Sequence, residues 1–247
     1  DNVVIIILPS RSCCCRLPMN QRDYSYYEAH AADVNLDDIT SSEHNKQILQ
    51  WLRDGYGVPS IDRYRSINVG GRWCDDFAIR EGDDLGWLAY FIGRSKSLRK
   101  LRIRGFSEFD DEEGWICTPE DEREEQRMVH ALSDGIARNQ SIQEVSVRSG
   151  WKNGFATIAG ALVNLNLTQL ERFYYYSSRY SSNDRINDCA TLGNLLESGV
   201  WNLKELSLSG NEIDDAGVAA FAHGLTGIGE SLEVLDLSGN SIGSEGL

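Results

Sequence analysis

The chain has 247 residues, 38 of them Asp or Glu and 24 Lys or Arg, for a formal net charge of −14. With 41% hydrophobic residues and only four prolines it cannot be a disordered chain, and its length suits one large domain or two small ones. No apolar run approaches the roughly 20 residues of a membrane-spanning helix, and ten acids against Arg123 alone in residues 107–125 concentrate the excess charge in one segment. Neither nucleic acid nor membrane is an expected partner.

Residues 1–35 show no periodicity and are expected to be a disordered or unassigned N-terminal segment. The apolar run at residues 3–8 is shorter than a signal-peptide core and has no basic region before it. Thr40-Ser41-Ser42-Glu43 reads as a capping box for a helix carrying Ile48, Leu49, Trp51 and Leu52 and ended by Gly55. Residues 36–60 are therefore expected to form a helical cap. Beyond it, Tyr64, Ile67 and Val69 alternate as a strand does, and Leu85, Leu88, Phe91 and Ile92 follow at helical spacing. Leu98, Leu101 and Ile103 repeat the strand pattern. An acidic insertion at 107–117 follows, expected to be a solvated loop, with a partner-binding or self-masking arm over Arg102, Arg104 and Arg148 as the alternative, since Trp115 and Ile116 lie within it. Thr118-Pro119-Glu120-Asp121 then opens a helix: a capping side chain, proline in the first turn, acids on the dipole.

The alternation returns at Ile142, Val145 and Val147 and at Leu170, Phe173 and Tyr175, with a helical stripe of Ile158, Ala159, Leu162 and Leu165 between them. At the C-terminal end it becomes regular. Leu203, Leu206, Leu208, Asn211, Ile213 and Gly217 recur 29 residues later as Leu232, Leu235, Leu237, Asn240, Ile242 and Gly246. Val218, Phe221, Ala222 and Leu225 fall on one helical stripe after Asp214 and Asp215.

The two copies, LKELSLSGNEIDDAG and LEVLDLSGNSIGSEG, carry the pattern L-x-x-L-x-L-x-x-N, and on these residues the chain resembles the leucine-rich repeat family. A period of 29 with a helix after each strand resembles its ribonuclease-inhibitor-like branch. The resemblance implies an α/β fold, a right-handed leucine-rich repeat solenoid of strand–helix repeats over 61–247. Successive offsets of 34, 44, 28, 33 and 29 carry the frame back to Tyr64. In the family the asparagine side chain caps backbone amides where the strand turns away. Here only Asn211 and Asn240 hold that place, and Arg72, Phe106, Gly150 and Ser178 stand in it elsewhere. The chain stops shortly after Ile242-Gly243, where another helix would open, so a C-terminally truncated fragment is expected. One strand and one helix cannot bury their own apolar faces, so stacked copies must share a core.

Chemistry-bearing motifs are absent. There is no phosphate-binding glycine loop, no HExxH and no GxSxG, and His30, His44, His130 and His223 lie far apart. The six cysteines, Cys13, Cys14, Cys15, Cys74, Cys117 and Cys189, show no CxxC spacing, which points to reduced thiols in the cytoplasm. Asn139-Gln140-Ser141 and Asn166-Leu167-Thr168 match the glycosylation triplet without a secretory signal beside them. No cofactor, metal site or enzyme activity is expected. The exposed strand positions are more informative. If Leu101/Ile103, Val145/Val147 and Phe173/Tyr175 face the core, then Lys100, Arg102, Arg104, Arg148 and Arg172 form a basic ladder with Tyr174 and Tyr176 on the other face. Arg and Tyr dominate binding hot spots. The expected function is a protein-interaction scaffold whose concave strand face takes a protein partner with an acidic or phosphorylated surface. The resemblance to this branch raises one alternative, a GTPase-activating regulator.

Overall fold

Residues 24–55, 66–70, 77–79, 83–104, 108–110, 114–116, 119–149, 169–177, 182–198, 202–228, 230–244 and 246 are described in a computed structural model of the chain. The first elements are α1 (Tyr24–His30), a 3-10 turn (Leu36–Asp38) and α2 (Glu43–Asp54). Ser42 caps α2, its hydroxyl accepting the Asn45 N–H at 3.3 Å, and Gly55 closes it in the left-handed conformation. Ile48, Leu49, Trp51 and Leu52 are buried, as their spacing requires. The buried Asn45 amide donates to Ala78 O at 2.8 Å, which ties α2 to the first part of the sheet.

Helix α1 corrects the expectation of an N-terminal segment without structure up to residue 35. Tyr27 is buried with its ring edge-on to Trp87, centroids 4.9 Å apart, and Tyr24 lies 5.1 Å from Tyr90. Tyrosine rings rather than an aliphatic stripe hold this helix, so apolar periodicity passes over it. The cysteines at 13–15 fall outside the described residues.

Four strands of five or six residues and three of two or three build the main sheet: β1 (Ser66–Gly70), β2 (Phe77–Ala78), β3 (Lys100–Arg104), β6 (Glu144–Ser149), β7 (Arg172–Ser177), β8 (Glu205–Ser207) and β9 (Val234–Asp236). All pair in parallel, in the order β2-β1-β3-β6-β7-β8-β9. Described helices on the core side are α3 (Leu85–Arg94), α4 (Pro119–Arg138), α5 (Ser182–Glu197), α6 (Asp215–Ala222) and α7 (Leu225–Ile228). A parallel sheet needs such crossovers, and strand–helix alternation supplies them.

The register is the one that the sequence pattern demands. Ile67, Leu101, Val145, Phe173, Leu206 and Leu235 are partners across adjacent strands, with Val69, Ile103, Val147 and Tyr175 in the next row. All of these are buried except Leu235, which is 37% exposed beside Val234 at 49%. Leu85, Leu88, Phe91 and Ile92 of α3 are buried against them, as are Met128, Val129, Leu132 and Ile136 of α4, which starts at Pro119 as its start signal predicts. Each such side chain contributes roughly 1.5–3 kcal/mol by leaving water. Tyr64 and the stripe at 158–165 fall outside the described residues.

Two expectations need correction here. The single stripe from Val218 to Leu225 is broken: α6 ends at Ala222, which is exposed, and α7 begins at Leu225. Between them Gly224 lies against Gly193 of α5, where an added Cβ would stand 2.2 Å from the Gly193 carbonyl oxygen. That close approach admits only glycine. The insertion is likewise neither loop nor extended arm in its described part. Its β4 (Glu108–Asp110) and β5 (Gly114–Ile116) pair antiparallel, with Phe109 opposite Trp115. Three-residue strands are too short for alternation to reveal them.

Side-chain amides close the corners. The Asn211 amide donates to Tyr175 O and Leu208 O, both at 2.8 Å, and Asn240 repeats this toward Leu208 O and Leu237 O at 2.8 Å. The Asn240 side-chain oxygen accepts from Asn211 N at 2.9 Å and Ile213 N at 3.0 Å. At the opposite end of the strands Asn139, 2% exposed, donates to Ile92 O at 2.6 Å and Ser95 O at 3.0 Å. Its oxygen accepts from Ser141 N and Ile142 N at 2.7 and 2.8 Å. The glycosylation triplet at 139–141 is thus a buried backbone clamp.

Candidate functional site

With the odd-numbered strand positions 101, 103, 145 and 147 buried, their alternating neighbours emerge on the opposite face of the sheet, and strand pairing sets them in three rows. The lower row runs Ser66, Lys100, Glu144, Arg172, Glu205 and Val234. The middle row is Asn68, Arg102, Ser146, Tyr174, Ser207 and Asp236. The upper row is Gly70, Arg104, Arg148 and Tyr176.

A groove of about 620 Å³ opens on this face. Six of the seven residues singled out from sequence line it: Lys100, Arg102, Arg104, Arg148, Tyr174 and Tyr176. Ser146, Ser207 and Ser209 add hydroxyls, and Glu144 is the one lining carboxylate among the described residues. Arg172 is not among the lining residues. Its Nε sits 3.5 Å from a Glu205 oxygen, and Nη1 lies 4.0 Å from Glu171.

The ladder is therefore not uniformly basic. In the lower row the charges alternate, positive, negative, positive, negative, so opposite charges face each other across neighbouring strands. Lys100 Nζ reaches Glu144 at 2.9 Å and Arg102 Nη2 reaches the same carboxylate at 3.8 Å, while Glu144 itself is only 6% exposed. A carboxylate that far from water requires such partners. Sequence reasoning picks out the cations of this row and misses their pairing with Glu144 and Glu205. The signal was opposite charge at equivalent positions of successive repeats.

The upper row has a different make-up. Arg104 and Arg148 are register partners and both are exposed. The Arg148 guanidinium carbon stands 5.0 Å from the Tyr176 ring centroid, and Tyr176 is 39% exposed. On the other side of Arg104 the row holds Gly70, where a Cβ would come within 2.6 Å of the Arg104 carbonyl oxygen. The glycine is needed for that close approach.

Tyr174 lies between the rows. Burial, then a hydrogen bond to the Glu205 carboxylate, pushes its phenol up to about 12 from 10.0. At neutral pH it is a firm donor. Toward β9 the face changes character again: Ser207 Oγ donates to Asp236 at 3.2 Å, and hydrogen bonds from Ser238 hold the Asp236 carboxyl below its usual range. No group of His, Cys, Asp and Glu among the described residues is arranged to hold a metal ion. No described helix is long and apolar enough to cross a membrane.

Comparison with known proteins adds the following. A family model described as a leucine-rich repeat matches residues 202–222 and 230–247. No curated protein matches the chain. Among solved structures, the actin-binding site 2 of leiomodin-1 superposes with a TM-score of 0.48 at 11% identity, over 77% of this chain and 92% of that one. A likeness at that level says nothing of what this chain binds. The two family-model matches fall on the repeats whose leucines and asparagines build the sheet's C-terminal end, and they support reading those segments as leucine-rich repeats.

Proposed function

We propose that this chain is a non-enzymatic protein-interaction scaffold that holds a partner segment on the concave strand face, the face opposite the helices. One observation carries the reading: six residues chosen from sequence for their chemistry line a single groove. Among the described lining residues, four cations against one carboxylate favour an acidic or phosphorylated partner surface, and the chain's net charge of −14 disfavours nucleic acid. Arg and Tyr supply the hot-spot side chains, and charge-assisted bonds to Arg are worth on the order of 1.5–3 kcal/mol. The finer family reading belongs to the same proposal. Parallel strand–helix–strand units wind right-handed in about 98% of cases, which supports a right-handed solenoid, and the 29-residue period supports the ribonuclease-inhibitor-like branch. A cytoplasmic site of action follows from the scattered cysteines.

The test is charge reversal. Arg102→Glu with Arg148→Glu is expected to abolish partner capture while the circular dichroism spectrum stays native, with a lowered melting temperature because Arg102→Glu sets a second carboxylate beside the buried Glu144. Asp134→Arg, on the exposed face of α4, should leave capture intact. Retained capture in the double variant would overturn the proposal. Addition of the chain to a panel of small GTPases should leave their hydrolysis rates unchanged; acceleration would favour the GTPase-activating alternative.

A further inference from the structure

The middle row of the strand face carries opposite charges at its two ends. From β3 to β9 it runs Arg102, Ser146, Tyr174, Ser207 and Asp236, one residue from each strand. At the β3 end Lys100 and Arg102 share the Glu144 carboxylate, at 2.9 and 3.8 Å, so these three groups together keep a positive charge. At the β9 end the neutral residues Ser238, Ser207 and Ser209 hold the Asp236 carboxyl below its usual range, so it is ionised at neutral pH. The hydroxyls of Ser146, Tyr174 and Ser207 line the groove between the two ends. Tyr174 gives its proton to Glu205, which leaves its oxygen as an acceptor.

We infer that this row binds an extended partner segment laid across the strands, with an acidic side chain over Arg102 and a cationic one over Asp236. The inference rests on the reading of this face as the partner face, and adds a charge of opposite sign to what the partner must carry. Four strand steps of about 4.8 Å separate the two ends, roughly 19 Å in all. An extended chain advances about 3.3 Å per residue, so about six residues span that distance. An even number puts both side chains on the same side of the segment. An extended chain also leaves backbone N–H groups free to meet the hydroxyl row, whereas a helix spends them internally. A segment acidic at both ends gains at Arg102 and is repelled at Asp236. Asp236 is therefore the residue that sets specificity, because like charges brought together reject a wrong partner.

Fluorescein-labelled degenerate peptide pools, titrated by fluorescence anisotropy, test this. They fix Glu and Lys six positions apart in either order, the same pair three positions apart, or Glu at both of the six-apart positions. One of the two six-apart orders should bind at least about fivefold tighter than the doubly acidic pool, and the better order gives the direction of the segment. Asp236→Asn keeps an acceptor for the Ser238 N–H, and should weaken that pool about fivefold without weakening the doubly acidic one. Asp236→Lys should reverse the preference. A doubly acidic pool that binds wild type as tightly as both six-apart orders would overturn the inference. So would an unchanged preference in Asp236→Asn, equal binding of the three-apart and six-apart pairs, or no binding of any pool. A missing preference with doubly acidic binding that Arg102→Glu with Arg148→Glu still abolishes would leave the acidic-partner reading standing. Partner capture that ignores that double variant would remove both.

Discussion

The C-terminal repeats and the middle repeats share one strand register and use it differently. At the C-terminal end the outward positions are small or acidic, Ser207, Ser209 and Asp236, and the turn asparagines, Asn211 and Asn240, stitch one repeat to the next. In the middle, β3, β6 and β7 lack that asparagine, yet they present the arginines and tyrosines of the groove. Another amide serves the opposite, helix-to-strand corner: Asn139 holds the carbonyls of Ile92 and Ser95 ahead of β3. Residues that define the repeat and residues that equip the groove alternate along the same strands. A strand can therefore lose its consensus in the turn and keep its fold, provided the buried partners at its core positions remain.

The largest effect that tests this division is expected at Phe173, fully buried at the register position shared with Val145 and Leu206. Phe173→Ala should lower stability by about 3–5 kcal/mol in urea unfolding. Tyr176→Ala, three positions along the same strand and exposed, should lie within about 0.5 kcal/mol of wild type. Next come the asparagines. Asn139→Ala leaves two carbonyls and two amides to find new partners and should cost about 2–3 kcal/mol, at least as much as Asn211→Ala. If Asn139→Ala proved neutral, the helix-to-strand clamp would not be a counterpart in the middle repeats to the C-terminal turn asparagines, and the comparison would fail.

Much of this layout was legible in the sequence, for a physical reason. Burial of one strand face forces alternation, and stacking forces the alternation to recur, so Leu98, Ile142, Leu170 and Leu203 stand in frame even where the consensus is weak. The outward neighbours follow from the pleat, and the structure gathers Arg102, Arg104, Arg148, Tyr174 and Tyr176 in one groove accordingly. What escaped depends on partners distant in sequence. Helix α1 is held by Trp87 and Tyr90, some sixty residues away, and the hairpin at β4 and β5 is too short for its period to show. Glu144 lies more than forty residues from Lys100 and Arg102, and only the register makes it their counter-charge.

Smaller effects sharpen the contrast between rows. Glu144→Gln removes the carboxylate charge shared by Lys100 and Arg102 and should cost about 1 kcal/mol of stability. It should also raise affinity for an acidic peptide severalfold in anisotropy titrations, because two cations are released into the groove. Tyr174 gives a pH signature. Its phenol keeps its proton to about 12 in the folded chain against 10.0 when unfolded, so its contribution to stability is present below pH 10.0 and is lost as pH rises toward about 12. Tyr174→Phe should flatten the stability profile over that range, read by denaturant unfolding with tyrosinate absorbance as the check. The smallest effect concerns the insertion. Neutralising Asp111, Glu112 and Glu113 should tighten binding of an acidic peptide less than about threefold, and added salt should erase the gain.

The central claim is that partners are held on the strand face opposite the helices, and site-specific photo-crosslinking addresses it most directly. A photoreactive residue placed at Ser146, in the middle row of the groove, is compared with one at Asp134, exposed on α4. The account predicts a discrete protein adduct from position 146, lost on adding Arg102→Glu with Arg148→Glu, and none from position 134. Adducts from position 134 alone would place the partner on the helices and contradict it.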